Sequence, residues 1–143
     1  MYKMRLVSTK EQILDFAKRR YEACHSKKEV KSEKDCSFFE AIESGDMIAL
    51  NCLDEETIVG GILLEQQRKN LKITRLFVDK GYQEKGAGTF MLQYVSDHQS
   101  FFEDYYGTEL KGIVTEPTVA STDFYFKQGY DYSGNQMYKS FIK

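Results

Sequence analysis

The residues between Leu76 and Thr89 have types and a spacing that suit the binding of a phosphate group. Gly86 and Gly88 lie two positions apart, where an apolar strand pattern gives way to a helical one. Glycines at such a junction allow positive φ angles and bring bare backbone N–H groups close to an anion. The helix N-terminus adds unsatisfied donors and the positive end of its dipole, which makes a phosphate or pyrophosphate the natural ligand. Thr89 can contribute a hydroxyl and Lys85 a charge.

The two glycines taken alone leave a second interpretation open, which is a tight surface turn with no ligand. Other phosphate-binding motifs fit poorly. A Walker loop needs Gly-Lys-Ser/Thr, whereas Gly88 is followed by Thr89 and Phe90. A dinucleotide-binding fingerprint would place a third glycine where Met91 stands. The glycines therefore indicate an anion site but do not identify its class.

Two longer segments resemble the GNAT superfamily of N-acetyltransferases. Residues 76–88, LFVDKGYQEKGAG, are similar to its acetyl-CoA motif, a strand ending in apolar-x-Val and then Gln/Arg-x-x-Gly-x-Gly/Ala. Gln83, Gly86 and Gly88 match that motif at the same spacing. Residues 124–130, FYFKQGY, resemble the family's Phe-Tyr-x-Lys-x-Gly-Phe/Tyr element. The resemblance extends to the order of elements along nearly the whole chain.

The resemblance implies acetyl-CoA as co-substrate and a set of cofactor-binding residues. The pantetheine arm would pair with the strand that ends at Val78, and the N–H near Val78 would face the thioester oxygen. Residues 83–88 would hold the pyrophosphate. The implied cofactor-binding residues are Leu76, Phe77, Val78, Gln83, Glu84, Lys85, Gly86, Ala87, Gly88, Thr89 and Thr118.

Four positions depart from the family pattern. Relatives often carry Pro at Lys80, Gly at Glu84, Asn at Thr118 and Ala at Ser121. The changes at Lys80 and Glu84 remove no backbone donor that family members use. Thr118 retains a hydroxyl for the pantetheine arm in place of an amide.

Tyr125 aligns with the tyrosine that protonates the departing thiolate in the family. A phenol with a pKa of about 10 is protonated at neutral pH and can serve as that acid. The alternative is a core aromatic on an amphipathic helix. No general base is assigned, because Lys72 and Thr74 stand where some relatives carry Glu or His. The carboxylates of Glu65, Asp79 and Glu116 are near in sequence but are expected to be surface charges.

The elements that must position these residues are predicted in the order β-α-α-β-β-β-α-β-α-β-β. Strand patterns cover residues 2–7, 47–52, 57–64, 71–78, 110–114, 130–132 and 136–142, and helical patterns follow Ser8, Ser37, Gly88 and Thr118. We expect an α+β (α/β sandwich) fold of the GNAT type. It would have a mixed, mostly antiparallel sheet of about seven strands and about four flanking helices. Residues 1–143 would form a single domain.

Several local patterns make further predictions. Ser8 with Glu11, and Ser37 with Glu40, have the form of capping boxes. Residues 27–35, KKEVKSEKD, are expected to be a surface loop, and Ser44-Gly45-Asp46 to end the second helix. The acceptor would bind near the N-terminal helices and residues 100–107, whose aromatic side chains either line a pocket or pack.

Composition excludes several classes of protein. The 143 residues carry a formal charge of −2, which gives no support to a strongly cationic nucleic-acid binder. No stretch approaches the roughly 20 apolar residues of a membrane helix. His25 and His98 lack metal-ligand spacing, so we expect no metal. Cys24, Cys36 and Cys52 are expected to be reduced, buried thiols in a cytoplasmic protein.

The leading hypothesis is an N-acetyltransferase that moves the acetyl group of acetyl-CoA to a primary amine of a small molecule or peptide. The amine would attack the thioester directly. The alternative is a catalytically silent GNAT-like module that binds CoA or a protein partner. The acceptor is unidentified, and we expect no nucleic acid, no membrane, and a monomer or homodimer.

Overall fold

One mixed sheet organises the chain. The computed structural model describes residues 1–24 and 29–141, and in them seven strands pair in the order β1-β2-β3-β4-β5-β7-β6. Only β4 and β5 pair in parallel among these neighbours, which confirms the predicted fold class. The strands are β1 (Tyr2–Leu6), β2 (Met47–Asp54), β3 (Thr57–Gln67), β4 (Asn70–Val78), β5 (Gly112–Thr115), β6 (Asp131–Ser133) and β7 (Gln136–Ser140).

Five α-helices flank this sheet in the described part of the chain, one more than the sequence pattern indicates. They are α1 (Lys10–Ala23), α2 (Phe39–Ser44), α3 (Ala87–Asp97), α4 (Gln99–Tyr106) and α5 (Thr122–Lys127). The additional helix, α4, follows α3 after a break at His98 and covers the segment that was expected to lie near the acceptor. The sequence pattern of α4 indicates a helix only weakly, because one apolar residue, Phe102, is buried, whereas Phe101 and Tyr105 are more than 40% exposed.

The predicted caps of the first two helices are wrong. Thr9, not Ser8, caps α1, and its box partner is Gln12. The Val7 N–H donates to the carbonyl of Ala49 (2.9 Å) and keeps the chain extended up to this point. The Gln12 carboxamide oxygen then accepts from the N–H groups of Ser8 (2.9 Å) and Thr9 (3.1 Å). At α2, Phe38 occupies the cap position without a side-chain bond.

Other local expectations have mixed outcomes. Gly45 ends α2 with a φ of 89°, as predicted. The helix expected from Val119 begins three residues later, because Val119–Ser121 forms a 3₁₀ turn capped by Thr118. Three predictions fall partly or wholly outside the described residues. They concern residues 27 and 28 of the predicted loop, His25, and the end of the predicted last strand at Ile142. A 3₁₀ turn, Glu33–Asp35, interrupts the rest of that loop.

Two apolar layers cover the two faces of the sheet. One packs α3, α4 and α5 against the face that carries Ile48, Leu50 and Ile62. The other packs α1 and α2 against the face that carries Ala49, Leu63 and Phe77. Alternate residues of β2 and β3 therefore enter different layers, as the two-residue period of a strand requires. A sheet buried on both sides holds β4 in place between its neighbours.

Two consecutive glycines bring β3 close to β4 and α1. A Cβ atom on Gly60 would lie 2.5 Å from the carbonyl oxygen of Phe77, and one on Gly61 would lie 2.6 Å from the Phe16 ring. Neither position has room for a larger residue. Glycine inside a strand pattern often marks such a close approach. Gly60 and Gly61 thus set the position of the C-terminal end of β4, which borders the candidate site.

Candidate active site

An open cleft of about 990 Å³ lies where β4 and β5 diverge. The strands pair only from Asn70 opposite Gly112 to Ile73 opposite Thr115. Beyond this point β4 continues to Val78, whereas β5 ends and leads through Pro117 into the turn before α5. The cleft is bordered by the second half of β4, by residues 115–118, by the loop before α3 and by α5.

The second half of β4 presents one unpaired edge to this cleft. Its other edge pairs with β3, from Gly60 opposite Val78 to Leu63 opposite Arg75. Thr74 has no partner there, because Leu64 pairs with Ile73, so β4 has a bulge at this residue. In the described part of the chain, no strand pairs with the remaining edge of residues 74–78. Its backbone donors and acceptors are therefore open to an extended ligand.

Two residues of the loop between β4 and α3 have a left-handed backbone conformation. Glu84 has a φ of 64° and Gly86 a φ of 88°, both in the left-handed region. Gly86 is the N-cap of α3, and the first N–H groups of that helix follow it. Such an arrangement presents several N–H donors and the positive end of a helix dipole to the same space. An anion can bind there without any cationic side chain.

Gly88 serves a different purpose from Gly86. A Cβ atom on Gly88 would lie 3.1 Å from the Cζ atom of Phe124, whereas one on Gly86 would meet nothing within 4 Å. Gly86 thus allows the backbone conformation, and Gly88 allows α3 and α5 to approach each other. Phe124 is adjacent to Tyr125, and their ring centroids are 5.3 Å apart.

The structure brings together almost all of the residues singled out in the sequence. Ten of the predicted cofactor-binding residues line the cleft, together with Tyr125, and Lys85 does not line it. Those ten are Leu76, Phe77, Val78, Gln83, Glu84, Gly86, Ala87, Gly88, Thr89 and Thr118. The ammonium of Lys85 lies 5.5 Å from the centroid of the Tyr82 ring. Its carbonyl accepts a 2.8 Å hydrogen bond from the Tyr2 hydroxyl, which ties the loop to β1.

Three polar side chains of this set already have protein partners. The Gln83 amide donates to the carbonyl of Val78 (3.2 Å). The Thr89 hydroxyl accepts from the side-chain amide of Gln128 (3.1 Å), which links α3 to the residue after α5. The Thr118 hydroxyl accepts from the N–H of Ser121 (3.3 Å) and donates to the Ser121 hydroxyl (3.0 Å). These bonds hold the walls of the cleft in position.

Tyr125 lies on the inner side of α5 at the bottom of the cleft. Its side chain is 5% exposed, as expected for a core aromatic, and it also borders the cleft. Burial raises the pKa of its phenol, and a side-chain hydrogen bond with Thr115 partly opposes that rise. The phenol is consequently protonated at neutral pH. The Tyr130 ring packs against it with centroids 5.3 Å apart.

The three carboxylates considered as bases have different surroundings. Asp79 is paired with Arg19 of α1 (3.4 Å). Glu65 accepts a hydrogen bond from the Thr74 hydroxyl (3.3 Å). Only Glu116 of these three lines the cleft. A hydrogen bond from the Lys72 ammonium (3.2 Å) keeps the pKa of Glu116 below its ordinary value, so this carboxylate is ionised.

The C-terminal end of α1 also reaches the cleft, although none of its residues was singled out in the sequence as a site residue. Arg20, Ala23 and Cys24 border it. Cys36 and Cys52 are buried as expected, but Cys24 is exposed at this position, and the expectation for it is wrong. No local pattern could have identified these residues, because α1 and β4 are about fifty positions apart in the chain.

Within residues 1–24 and 29–141, no three His, Cys, Asp or Glu side chains form a group that could hold a metal ion. None of the helices found there combines the length and the apolar character needed to cross a membrane.

The sequence matches a family model described as an acetyltransferase (GNAT) domain, over residues 10–143. The chain therefore belongs to the GNAT acetyltransferase family, as the two motifs indicated. A search of curated proteins finds no match.

Solved structures with the same fold are distant in sequence. An N-acetyltransferase from Staphylococcus aureus Mu50 has a TM-score of 0.71 and 14% identity, with 100% of this chain and 99% of that chain covered. The PaiA N-acetyltransferase from Thermoplasma acidophilum, in complex with coenzyme A, has a TM-score of 0.61 and 18% identity, with 96% of both chains covered. Glucosamine-6-phosphate N-acetyltransferase from Arabidopsis thaliana has a TM-score of 0.66 and 21% identity, with 97% of both covered. At these identities the comparison establishes the fold.

Proposed function

We propose that this protein transfers the acetyl group of acetyl-CoA to a primary amine of a small molecule or peptide. One observation carries the proposal: the cleft combines an unpaired strand edge, a loop rich in N–H donors and a buried phenol. These three features suit the pantetheine arm, the pyrophosphate and the leaving thiolate of one cofactor. The match to an acetyltransferase family adds independent support.

The pantetheine arm pairs with the free edge of β4 between Thr74 and Val78. Its amide groups replace the missing neighbour strand and satisfy backbone groups that otherwise bond to water. Leu76 and Val78, both half-buried, supply apolar contacts. The N–H near Val78 faces the thioester carbonyl and stabilises negative charge on its oxygen in the tetrahedral intermediate. Thr118 offers a hydroxyl to the arm if it gives up its bond to Ser121.

The pyrophosphate lies against the loop from Gln83 to Gly88 and the first turn of α3. Backbone N–H groups and the helix dipole provide the attraction. Thr89 is placed at this turn, and its hydroxyl, which accepts from Gln128, is free to donate to a phosphate oxygen. Lys85 contributes long-range charge without a direct contact, because it does not line the cleft.

Tyr125 acts as the general acid. The neutral amine attacks the thioester carbonyl carbon, a C–N bond forms, and the C–S bond then breaks to release the CoA thiolate. The Tyr125 phenol gives its proton to that sulfur, which prevents the reverse attack. Glu116 is ionised and borders the cleft, so it attracts the ammonium form of the acceptor. Of the two protons that the ammonium acceptor loses, a water chain carries one to solvent and the other restores the Tyr125 phenol.

We expect a single domain in the cytoplasm, a monomer or homodimer, and no binding of nucleic acid or membrane. The alternative function, a GNAT-like module that binds CoA or a protein partner without catalysis, is favoured by one observation. Lys72 and Thr74 occupy positions where some relatives carry a carboxylate or imidazole on this strand.

Calorimetry with acetyl-CoA tests the proposal directly. We expect saturable binding with one site per chain, and no heat of binding at millimolar cofactor would contradict it. A second assay follows thiol release from acetyl-CoA across amines of four classes: small amines, antibiotics, amino acids and peptide N-termini. Binding without thiol release for every amine would instead favour the silent module.

Replacing Glu84 with Gly is expected to strengthen acetyl-CoA binding. The Glu84 backbone is in the left-handed region with a φ of 64°, which is unfavourable for a residue with a Cβ atom. Its carboxylate also lies at the cleft where the pyrophosphate would bind, and the two repel each other. We expect the Kd from calorimetry to fall about threefold.

The Glu84→Gln variant separates the two causes, because it removes the charge and keeps the backbone requirement. It should show most of the gain in affinity expected for Glu84→Gly. It should not show the gain in thermal stability that Glu84→Gly receives from the relief of backbone strain. Weaker binding in both variants would mean that the Glu84 side chain contacts the cofactor favourably.

A further inference from the structure

Two arginines border the cleft without an acidic partner. Arg20 lies near the C-terminal end of α1, and Arg75 lies in the second half of β4. In the described part of the chain, neither guanidinium forms an ion pair. Arg5 and Arg19, by contrast, are both paired with carboxylates. The cleft therefore contains two cationic groups that are free to bind an anion.

Both side chains have contacts that orient them but do not neutralise them. The Arg75 Nη1 atom donates to the carbonyl of Thr74 (2.7 Å), within the stretch of β4 that has an unpaired edge. Arg20 is half-buried, and its Cζ atom lies 5.6 Å from the centroid of the Tyr21 ring. A guanidinium has five N–H donors in a planar fork that matches the oxygens of a carboxylate or phosphate. Most of these donors remain available to a ligand.

The two arginines approach the cleft from the same face of the sheet. Phe16 of α1 and Phe77 of β4 pack together on this face, with ring centroids 5.1 Å apart. Arg20 follows Phe16 by four residues, about 6 Å along the helix. Arg75 precedes Phe77 by two residues, about 7 Å along the strand, and so points to the same face. Two long side chains that begin this close to one contact can bind the same small anion.

An anion at this position is distinct from the pyrophosphate of the proposed function. The loop from residue 83 to residue 88 leads into α3, which packs on the opposite face of the sheet through Ala87. Leu76 and Val78 point to that face as well. Because β4 lies between the arginines and the N-terminus of α3, an anion bound by the arginines lies on the α1 side of the cleft.

The two carboxylates that border the cleft do not neutralise the arginines. Glu116 is bound to the Lys72 ammonium (3.2 Å), and Glu84 belongs to the loop before α3. The cleft thus offers a carboxylate to an ammonium group and two guanidinium groups to an anion. A small ligand that carries both charges matches this distribution.

We propose that the acceptor amine carries a carboxylate or phosphate group, and that Arg20 and Arg75 bind this group. This narrows the acceptor of the proposed acetyl transfer, on which it rests, from any primary amine to an anionic one. The guanidinium N–H groups donate to the anionic oxygens in charge-assisted hydrogen bonds. The anion is held on the α1 side, and the amine end remains free for the thioester near Val78. An amine of the same size without the anionic group lacks this attachment and binds more weakly.

The first test is an NMR titration of the ¹⁵N-labelled full chain without acetyl-CoA. O-phosphoethanolamine is compared with ethanolamine, and β-alanine with propylamine, at equal ionic strength. The side-chain Nε–H signals of Arg20 and Arg75 report this subsite, and the backbone N–H of Gly88 reports the loop before α3. We expect saturable shifts of the arginine signals with at least one anionic amine, and at least about tenfold weaker binding of its counterpart. No saturable arginine shift up to about 100 mM, or a shift confined to Gly88, would overturn the proposal.

Substitutions of the two arginines sharpen the result. Arg20→Gln and Arg75→Gln should each weaken binding of the anionic amine at least about fivefold, because each removes charge-assisted hydrogen bonds. Arg75→Lys keeps the charge without the fork and should recover part of the loss. Arg68→Gln is the matched control, since Arg68 is exposed in the turn between β3 and β4 and does not line the cleft. Equal affinity in the wild type and in both Gln variants would overturn the proposal.

Calorimetry on the double variant, with both arginines replaced by Gln, distinguishes the acceptor anion from the phosphates of CoA. We expect any loss of affinity to be the same for acetyl-CoA and for S-acetylpantetheine, which has no phosphate. A loss for acetyl-CoA alone would mean that the arginines bind the cofactor, and the proposal would be wrong.

The outcome is also separate from that of the proposed function. Arginine shifts with an anionic amine, but no thiol release from acetyl-CoA, would contradict acetyl transfer and support the anion subsite. Thiol release with equal kcat/KM for O-phosphoethanolamine and ethanolamine, and for β-alanine and propylamine, would overturn the subsite and support acetyl transfer.

Discussion

Replacing Tyr125 with Phe is expected to lower the turnover number for acetyl transfer by at least about 100-fold, the usual contribution of a positioned general acid. The Tyr125 ring packs into the core at 5% exposure, and phenylalanine preserves that packing. Only the hydroxyl, the proposed proton donor to the leaving thiolate, is lost. The Kd for acetyl-CoA should therefore remain within about twofold of the wild-type value. Steady-state kinetics and calorimetry on the same preparations measure both quantities.

Tyr130→Phe is a matched control for this substitution. Tyr130 is also buried and packs against Tyr125, but its hydroxyl has no hydrogen-bond partner in the described part of the chain. It does not line the cleft. Turnover should stay near the wild-type value in this variant, and stability should not decrease. An unchanged turnover in Tyr125→Phe would remove Tyr125 from the mechanism, whereas equal losses in both variants would indicate a packing effect.

The pH dependence of the reaction follows from the same burial. A general acid must be protonated, so a loss of its proton would lower turnover as pH rises through its pKa. Burial raises the pKa of Tyr125 above its ordinary value, which moves that loss toward higher pH. Titration of Tyr125 should therefore not lower turnover anywhere below its ordinary pKa of about 10.

The geometry of the loop before α3 could be predicted from sequence because its requirements are local. Gly86 must adopt a φ of 88°, and Gln83 and Gly88 are within a few residues of it. A short motif therefore describes most of the loop. Tyr125 was predicted for a similar reason, since the aromatic residues and Gly129 around it define one short helix and its end.

The remaining parts of the site depend on contacts between distant segments. The free edge of β4 exists only because β5 pairs with its first half and then diverges, which no pattern within β4 reveals. Arg20 and Cys24 reach the cleft through the packing of α1 on the sheet. The Lys85 ammonium lies over the Tyr82 ring, and the Lys85 carbonyl accepts a hydrogen bond from Tyr2 of β1. Glycines 60 and 61 did carry a signal, because two glycines inside a strand pattern suggest a close approach.

The two glycines of the loop should respond differently to alanine. Gly86→Ala introduces a Cβ atom at a φ of 88°, which costs about 1–2 kcal/mol for an L-residue in the left-handed region. No atom lies within 4 Å of the new Cβ, so the cost arises from the backbone alone. The loop relieves it by turning its N–H groups away from the pyrophosphate. We expect the Kd for acetyl-CoA to rise about tenfold, measured by calorimetry.

Gly88→Ala acts through packing, since its Cβ atom would lie 3.1 Å from the Phe124 ring. Alanine suits the first turn of α3, so the donors stay in place and the Kd should change by less than about threefold. The displaced Phe124 ring instead shifts its neighbour Tyr125 and lowers turnover. Phe124→Leu makes room for the methyl group, so the double variant should recover turnover relative to Gly88→Ala. If Gly88→Ala weakened cofactor binding more than Gly86→Ala, the pyrophosphate would have to contact the backbone at Gly88, and the division of roles between the two glycines would be reversed.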